Sequence, residues 1–300
     1  MKNIVYFDLE TMRAADEVGG WKHIDKICKN GLGSGELGVC IAATGSGKSM
    51  ALVHLGAAAL RAGKNVVHYT LELSEKVIGL RYDSCLSSVP LNDLHDMKDM
   101  VEESCLDVPG ELFIKEYPTK TASPKNIAKS LEKLNKLDHK VDLIIVDYAD
   151  LLRPSSAFRE KRNELESIYE ELRALAQENE CPIWTASQTN RSGLNAEVIT
   201  MESISEAFNK CFVADFIFSL SRTVEDKGTN SGRVFVAKNR NGPDGLIFPI
   251  SMDASNVQIS VLPQTYETIE EIAVKTAKDQ LENLKEKYRQ HRKGREVVNG

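Results

Sequence analysis

Cysteine is scarce and unpatterned in this chain. Its six cysteines (Cys28, Cys40, Cys85, Cys105, Cys181 and Cys211) show no Cys-x-x-Cys and no Cys/His pairing, which argues against a zinc ribbon and against a disulfide framework. Half of them lie in or beside apolar runs and read as reduced, buried small residues. No apolar stretch approaches the roughly 20 residues that cross a bilayer. No secretory leader opens the chain, so a cytoplasmic protein without membrane contact is expected. Basic residues are not in excess: 38 Lys and Arg stand against 44 Asp and Glu, a net charge of −6. That balance argues against a protein that coats nucleic acid with its whole surface, but leaves room for a local basic channel. Internal repeats and low-complexity tracts are also missing. What remains is 300 residues of ordinary composition, 27% charged and 42% hydrophobic, enough for one large domain or two small ones with a real core.

Within that composition, apolar runs alternate with helical ones. Leu37–Ala43, Val66–Leu71, Leu112–Glu116, Val141–Val146, Ile183–Ser187 and Phe216–Leu220 have strand character. Between them Ser49–Leu60 reads as a helix closed by Gly63, and Ser123–Leu137 as one opened by a Ser cap with Pro at its first position. Glu164–Gln177 carries Leu165, Ile168, Tyr169, Leu172, Leu175 and Ala176 on one helical face. The alternation predicts an α/β fold with a mostly parallel central sheet covered on both faces. After residue 231 the pattern changes to short strands, Val234–Ala237, Leu246–Ile250 and Val257–Val261, joined by turns such as Asn241-Gly242. These predict an antiparallel extension at one edge.

The run AATGSGKS at residues 42–49 joins the first strand to the first helix. That is the setting in which a phosphate-binding loop works. Gly45 and Gly47 let the backbone curl so that successive N–H groups face phosphate oxygens, and the helix start adds its positive end. The expected nucleotide-binding set is Ala43, Thr44, Gly45, Ser46, Gly47, Lys48, Ser49 and Met50. Lys48 would reach the β- and γ-phosphates of ATP, and the Ser49 hydroxyl would bind Mg²⁺. The consensus opens with Gly where this chain has Ala42.

Parallel sheets bind ligands at the carboxyl ends of their strands, so the residues that end each strand are the ones to read. Glu72, after the second strand in YTLELSE, could hold an attacking water as general base, or could simply be welcome at a helix start. Asp147 ends VDLIIVDYAD, an apolar strand closing in a carboxylate of the kind that supports Mg²⁺. Asp150 reads either as an acid behind it or as the cap of the next turn. Gln188 ends PIWTASQ, where an amide can sense a γ-phosphate. Lys238 and Arg240, in VFVAKNRNGP, share a face and could stabilise charge on a transferring phosphoryl group; on spacing alone a solvated edge strand accounts for them as well. Two loops carry cations suited to a nucleic-acid backbone: Arg153, Arg159, Lys161 and Arg162 in one, and Arg191 in the other. Phe158 is the lone aromatic there, so sequence-indifferent contact is expected rather than base stacking.

Taken together and in order, these motifs resemble the ATPase domain of the hexameric replicative helicases of the DnaB type, and most of all the phage members of that family. The resemblance covers residues 21–262. It is carried by Gly35-Glu36-Leu37 leading into the phosphate loop, YTLELSE, LIIVDYADLL, ELRALAQENECPIWTASQTNRSG and AKNRNGP. It implies a RecA-like P-loop NTPase fold and ATP hydrolysis with Mg²⁺. It further implies a ring, a hexamer by the family's habit, that translocates on single-stranded DNA and unwinds duplex during replication, in a bacterial cytoplasm or a phage-infected cell. Glu72 becomes the family's catalytic glutamate, with Lys48 and Gln188 beside it. Lys238 and Arg240 become the cations acting on the ATP of the neighbouring subunit. A full N-terminal domain precedes this segment in the family, against about twenty residues here, so primase or a helicase loader is a partner on resemblance alone. Residues 1–20 look like the opening of an RNase H-like exonuclease, with Asp8 and Glu10 one residue apart. The further acids that chemistry needs have no room before residue 21, so the segment reads as a tail. Residues 263–300 read as a charged helical tail, apolar at Ile269, Ile272 and Ala273 and basic at its end. Two rivals share the core: a recombinase-type open filament, and a regulatory ring ATPase of the circadian-clock type that binds proteins and no nucleic acid.

Overall fold

A computed structural model describes residues 21, 24, 27, 31–156, 160–189, 198–199 and 212–263, with the side chain of Lys161 excepted. Asp8, Glu10, Arg159, Arg191 and the expected C-terminal helix lie outside the described residues, as does the Lys161 side chain.

Among the described residues nine strands form one sheet. They are β1 (Leu37–Ala42), β2 (Val66–Thr70), β3 (Leu112–Glu116), β4 (Leu143–Asp147), β5 (Ile183–Gln188), β6 (Phe216–Ser221), β7 (Ser231–Asn239), β8 (Ile247–Asp253) and β9 (Gln258–Val261). Their order is β3-β2-β4-β5-β1-β6-β7-β8-β9. The pairs from β3 to β6 are parallel, and those from β6 to β9 antiparallel. The expected fold class and its antiparallel edge are therefore both present. The helices are α1 (Lys48–Arg61), α2 (Glu75–Ser87), α3 (Lys98–Leu106), α4 (Pro124–Lys136), α5 (Lys161–Glu178) and the short α6 (Val224–Gly228). The sequence reading did not anticipate α3 and α6, and marked α2 only as a helix start that could account for Glu72. In α3 only Val101 is buried, so little apolar periodicity marks it.

The strands β1, β4 and β5 are buried almost end to end, as strands covered on two faces must be. α1 lies across β1, β5, β4 and β2 and reaches β9. Its apolar residues share one core with Cys40, Ala42, Ile145, Trp184 and Ala186. At Gly56 of α1 an added Cβ would fall 2.1 Å from the Tyr82 hydroxyl, so only glycine lets α2 pack this closely. α5 packs against β1 and β5, burying Ile168, Tyr169 and Leu172. α4 begins as expected, with Pro124 at its first turn and a reciprocal cap between Ser123 and Asn126.

Two core histidines set an acid limit on stability. His54 stacks near Trp21, and both its nitrogens lack a hydrogen-bond partner. His68 bonds the Tyr82 hydroxyl at 3.0 Å through Nδ1 alone. Burial pushes His54 down to about 4 and His68 down to about 3. Both values are depressed, so this stability is complete above the ordinary histidine value of 6.5 and drains as pH falls through 4 towards 3. We expect several kcal/mol to be lost between about pH 6.5 and 3.5, because each tenfold weakening of proton affinity is worth about 1.4 kcal/mol. Urea midpoints measured across that range check it; a flat profile would contradict the burial of these rings.

Candidate nucleotide site

Strand order decides which chain segments meet. β5 lies between β1 and β4, and β2 flanks β4 on the far side. Ala42 is in register with Gln188, and Thr70 with Asp147. The carboxyl ends of four strands therefore deliver, side by side, the 43–49 loop, Gln188, Asp147 and the turn bearing Glu72.

The loop has the curl that its glycines predict. Gly45 has φ +71° and Gly47 φ +103°, and Gly47 is the residue that caps α1. A Cβ on Gly47 would also fall 2.0 Å from the Met252 side chain on β8, so both conformation and space require glycine. Ala42, the departure from consensus, is a fully buried strand residue. Lys48 is buried and folds back on the loop. Its Nζ donates to the Ala43 carbonyl at 3.4 Å and lies 5.5 Å from the centre of the Tyr148 ring.

Asp147 is fully buried, and neither carboxylate oxygen has a hydrogen-bond partner. Burial raises its carboxyl to about 6; Glu72 adds to the rise, while Ser49, Arg81 and Lys48 oppose it. The Ser49 hydroxyl is close enough to matter but makes no bond of good geometry. An orphaned buried carboxylate beside a hydroxyl at the foot of a phosphate loop is a donor set that fits Mg²⁺ with its bound water.

Glu72 is exposed in a tight turn between β2 and α2. The Thr70 hydroxyl donates to the Leu73 carbonyl at 2.7 Å and accepts from the Leu73 N–H at 3.2 Å. The Leu71 N–H donates to the Asp147 carbonyl at 2.8 Å, which ties the turn to β4. Gln188 bridges two neighbours: its amide donates to the Thr44 hydroxyl at 2.6 Å and accepts from the Tyr148 hydroxyl at 3.3 Å. Asp150 stands behind it, accepting from the Gln188 N–H at 3.2 Å and the Tyr169 hydroxyl at 2.8 Å. Of its two readings, the acid behind the site is the one that these contacts match.

Two residues of this neighbourhood escaped the sequence reading. Tyr148 stands between Lys48 and Gln188, with burial pushing its hydroxyl up to about 12. Arg81 on α2 is half-buried, its pKa lowered by burial and supported by the charges of Asp147 and then Glu72. No spacing rule links Arg81 to the loop; packing of α2 on α1 brings it there.

Lys238 and Arg240 are elsewhere. β7 runs antiparallel to β6, and Asn239 pairs with Phe216, the first residue of β6. Both cations therefore sit at the amino end of the parallel strands. Arg240 pairs with the buried Asp215 at 2.6 Å and remains 47% exposed. Asp215 also receives Arg173 through two bonds, of 3.0 and 3.1 Å, and the Leu37 N–H at 3.0 Å. Lys238 donates to the Phe212 carbonyl and lies over the Phe212 ring. β1 spans six residues, so about 20 Å of strand separates this cluster from the phosphate loop of the same chain. Of the expected nucleic-acid contacts, Arg153 is exposed and Arg162 pairs with Glu166 at 3.0 Å on the surface of α5.

The family profile described as the DnaB-like helicase C-terminal domain matches residues 18–254. The DnaB-like replicative helicase of Enterobacteria phage T4 is 31% identical over 234 residues, 73% of this chain and 49% of that protein. The replicative DNA helicase DnaB of Helicobacter pylori is 28% identical over 168 residues, 54% of this chain and 34% of that one. A solved DnaB-like replicative helicase, studied with its interactions with primase, superposes with a TM-score of 0.69 at 18% identity, over 84% of this chain and 64% of that one. That likeness speaks for the fold. The chain spans about half or less of the length of these relatives' sequences.

Proposed function

Because the chain belongs to the DnaB-like helicase C-terminal domain family, we propose that it is an ATP-driven motor that assembles into a ring, moves on single-stranded DNA and unwinds duplex during replication. Nucleotide binding follows from the family and fold; the remaining roles are our reading of this chain's residues. Residues 21–262 form the motor, with the segments on either side as tails. The N–H groups of 43–49 and the Lys48 ammonium hold the phosphates. Ser49 and Asp147 would hold Mg²⁺, which when bound would supply positive charge against the nucleotide's phosphates. Glu72, on the turn that the Leu71 N–H ties to the Asp147 carbonyl, takes the proton of the attacking water. Gln188 hydrogen-bonds Thr44 on one side and Tyr148 on the other, so it can pass the state of the loop to the segment after β5.

The observation that carries a ring is the separation of the cations. Lys238 and Arg240 are too far from their own phosphate loop to act on it, so they can serve only a neighbour's. Among the described residues no helix is long and apolar enough to cross a membrane. A replicating cytoplasm or infected cell, with primase or a loader as further partner, suits the reading.

The test combines turnover with imaging. Hydrolysis should rise on adding single-stranded DNA, and closed rings, hexameric by the family's habit, should appear by electron microscopy with a non-hydrolysable ATP analogue. Open filaments would favour the recombinase reading, and rings indifferent to DNA the regulatory one. Glu72→Gln should keep nucleotide affinity and lose at least roughly a hundredfold in kcat, the usual scale for a general base. Retained turnover would move that role to another residue.

A further inference from the structure

A cation that no motif marks stands at the phosphate loop of its own chain. Lys227 is exposed on α6, and a Cβ added to Gly45 would lie 3.8 Å from its Nζ. β6 is the parallel neighbour of β1, so the turn leaving β6 emerges beside the loop leaving β1. The turn that carries Lys227 is firmly built. Thr223 and Asp226 cap each other at 2.8 and 3.1 Å. The Asp226 carboxylate, buried, also accepts Ser231 at 3.1 Å and pairs with Arg233 at 3.2 Å. Arg222 donates to the Ser231 carbonyl at 2.9 Å. These neighbours are held in the turn and in the strands that flank it, Arg222 also reaching the Met252 sulfur on β8 at 3.3 Å. Lys227, by contrast, has no carboxylate partner among the described residues and reaches towards the loop.

We propose that Lys227 binds the terminal phosphates of the nucleoside triphosphate held by its own subunit, resting on the reading of residues 42–49 as a phosphate loop. The N–H groups of such a loop face phosphate oxygens. An ammonium this close to Gly45 reaches the oxygens that Gly45 faces, with three donors on a flexible stem. Lys227 thus adds positive charge in cis, whereas Arg240 can add it only in trans. The two differ in what they need: the lysine acts in a lone subunit, the arginine only after assembly.

The experiment uses the full chain carrying Arg240→Ala, so that no neighbour supplies that cation. Lys227→Ala and Lys227→Arg are added singly, and affinities for ADP and for a non-hydrolysable ATP analogue are measured by calorimetry with Mg²⁺. Lys227→Ala should weaken the analogue roughly tenfold or more, the scale of a charge-assisted hydrogen bond, and ADP by no more than about threefold. Lys227→Arg should restore most of the analogue's affinity. The residue is exposed, so thermal unfolding should not move. Unchanged affinities, or equal losses for ADP and analogue, would overturn the assignment. Lys48→Ala distinguishes the underlying reading: if it too binds both nucleotides normally, residues 42–49 are not a phosphate loop; if it fails to bind, only the role of Lys227 has failed.

Discussion

Arg240→Ala should bind nucleotide almost as the parent does and hydrolyse it roughly 10³- to 10⁵-fold more slowly, the range of an arginine acting on a transferring phosphoryl group. The reason is placement. Arg240 stands at the amino end of β6, held on Asp215, while Lys48 and Asp147 stand at the carboxyl ends of β1 and β4. Removing the arginine should leave its own loop untouched and, in the proposed ring, disable the loop of the next subunit. Mixing provides the decisive measurement. Lys48→Ala and Arg240→Ala chains are each expected to be inactive, yet a mixed ring contains interfaces with an intact loop on one side and an intact arginine on the other. Turnover should partly return. No recovery despite demonstrated co-assembly would remove the trans role. Asp215 gives the test a second reading, because it fixes the guanidinium through one nitrogen and leaves the rest exposed. If Arg173→Met also loosens Asp215, hydrolysis should fall with unchanged nucleotide affinity.

Asp147→Asn should abolish most turnover and yet make the nucleotide-free protein more stable. The carboxylate is buried without a partner, and burial lifts it from 3.8 to about 6. A raised value means that stability is complete below 3.8 and is lost as pH rises through 6. At about pH 8 the charged form costs about 3 kcal/mol, since each tenfold change in proton affinity is worth about 1.4 kcal/mol. Asparagine is neutral throughout and escapes that cost. In EDTA at about pH 8 the variant should gain about 2–3 kcal/mol by urea unfolding, shrinking to roughly half at about pH 5 as the parent takes up its proton. Adding Mg²⁺ with nucleotide should narrow the gap, because only the parent gains a partner for its charge. Hydrolysis should drop by at least roughly a hundredfold, since several kcal/mol of charge stabilisation goes with the carboxylate. A variant no more stable than the parent would show that the aspartate is not strained by its burial.

The sequence alone determined much of this protein. Short, largely apolar runs bounded by Gly, Asp and Gln fit strands covered on both faces, so β1, β4 and β5 were legible, and with them the residues that end them. The curl at Gly45 and Gly47 was legible because glycine adopts positive φ without steric cost, and the cap at Ser123 because its geometry is local. α2 was harder. Its buried face, Ile78, Tyr82 and Cys85, is interrupted by Ser84 and Ser87, whose burial is tolerated only because backbone carbonyls accept their hydroxyl protons. Asp150 stayed ambiguous until Gln188 and Tyr169 came to it from other elements.

Only the tertiary structure decided the rest. Strand order is a long-range property, so nothing local says that β5 separates β1 from β4, and it is this that seats Gln188 between loop and carboxylate. Arg81 and Lys227 lie in no motif, and Tyr148 lies in one that assigns it no role; Arg81 comes to Asp147 and Glu72, Tyr148 to Lys48 and Lys227 to Gly45 because other parts of the chain pack there. Alternation predicts one face for Lys238 and Arg240; in the structure Lys238 meets Phe212, and Arg240, just past the end of β7, meets Asp215. Which end of the sheet they occupy was fixed by the antiparallel return of β7, which sets both cations at the amino end of the parallel strands, away from their own phosphate loop.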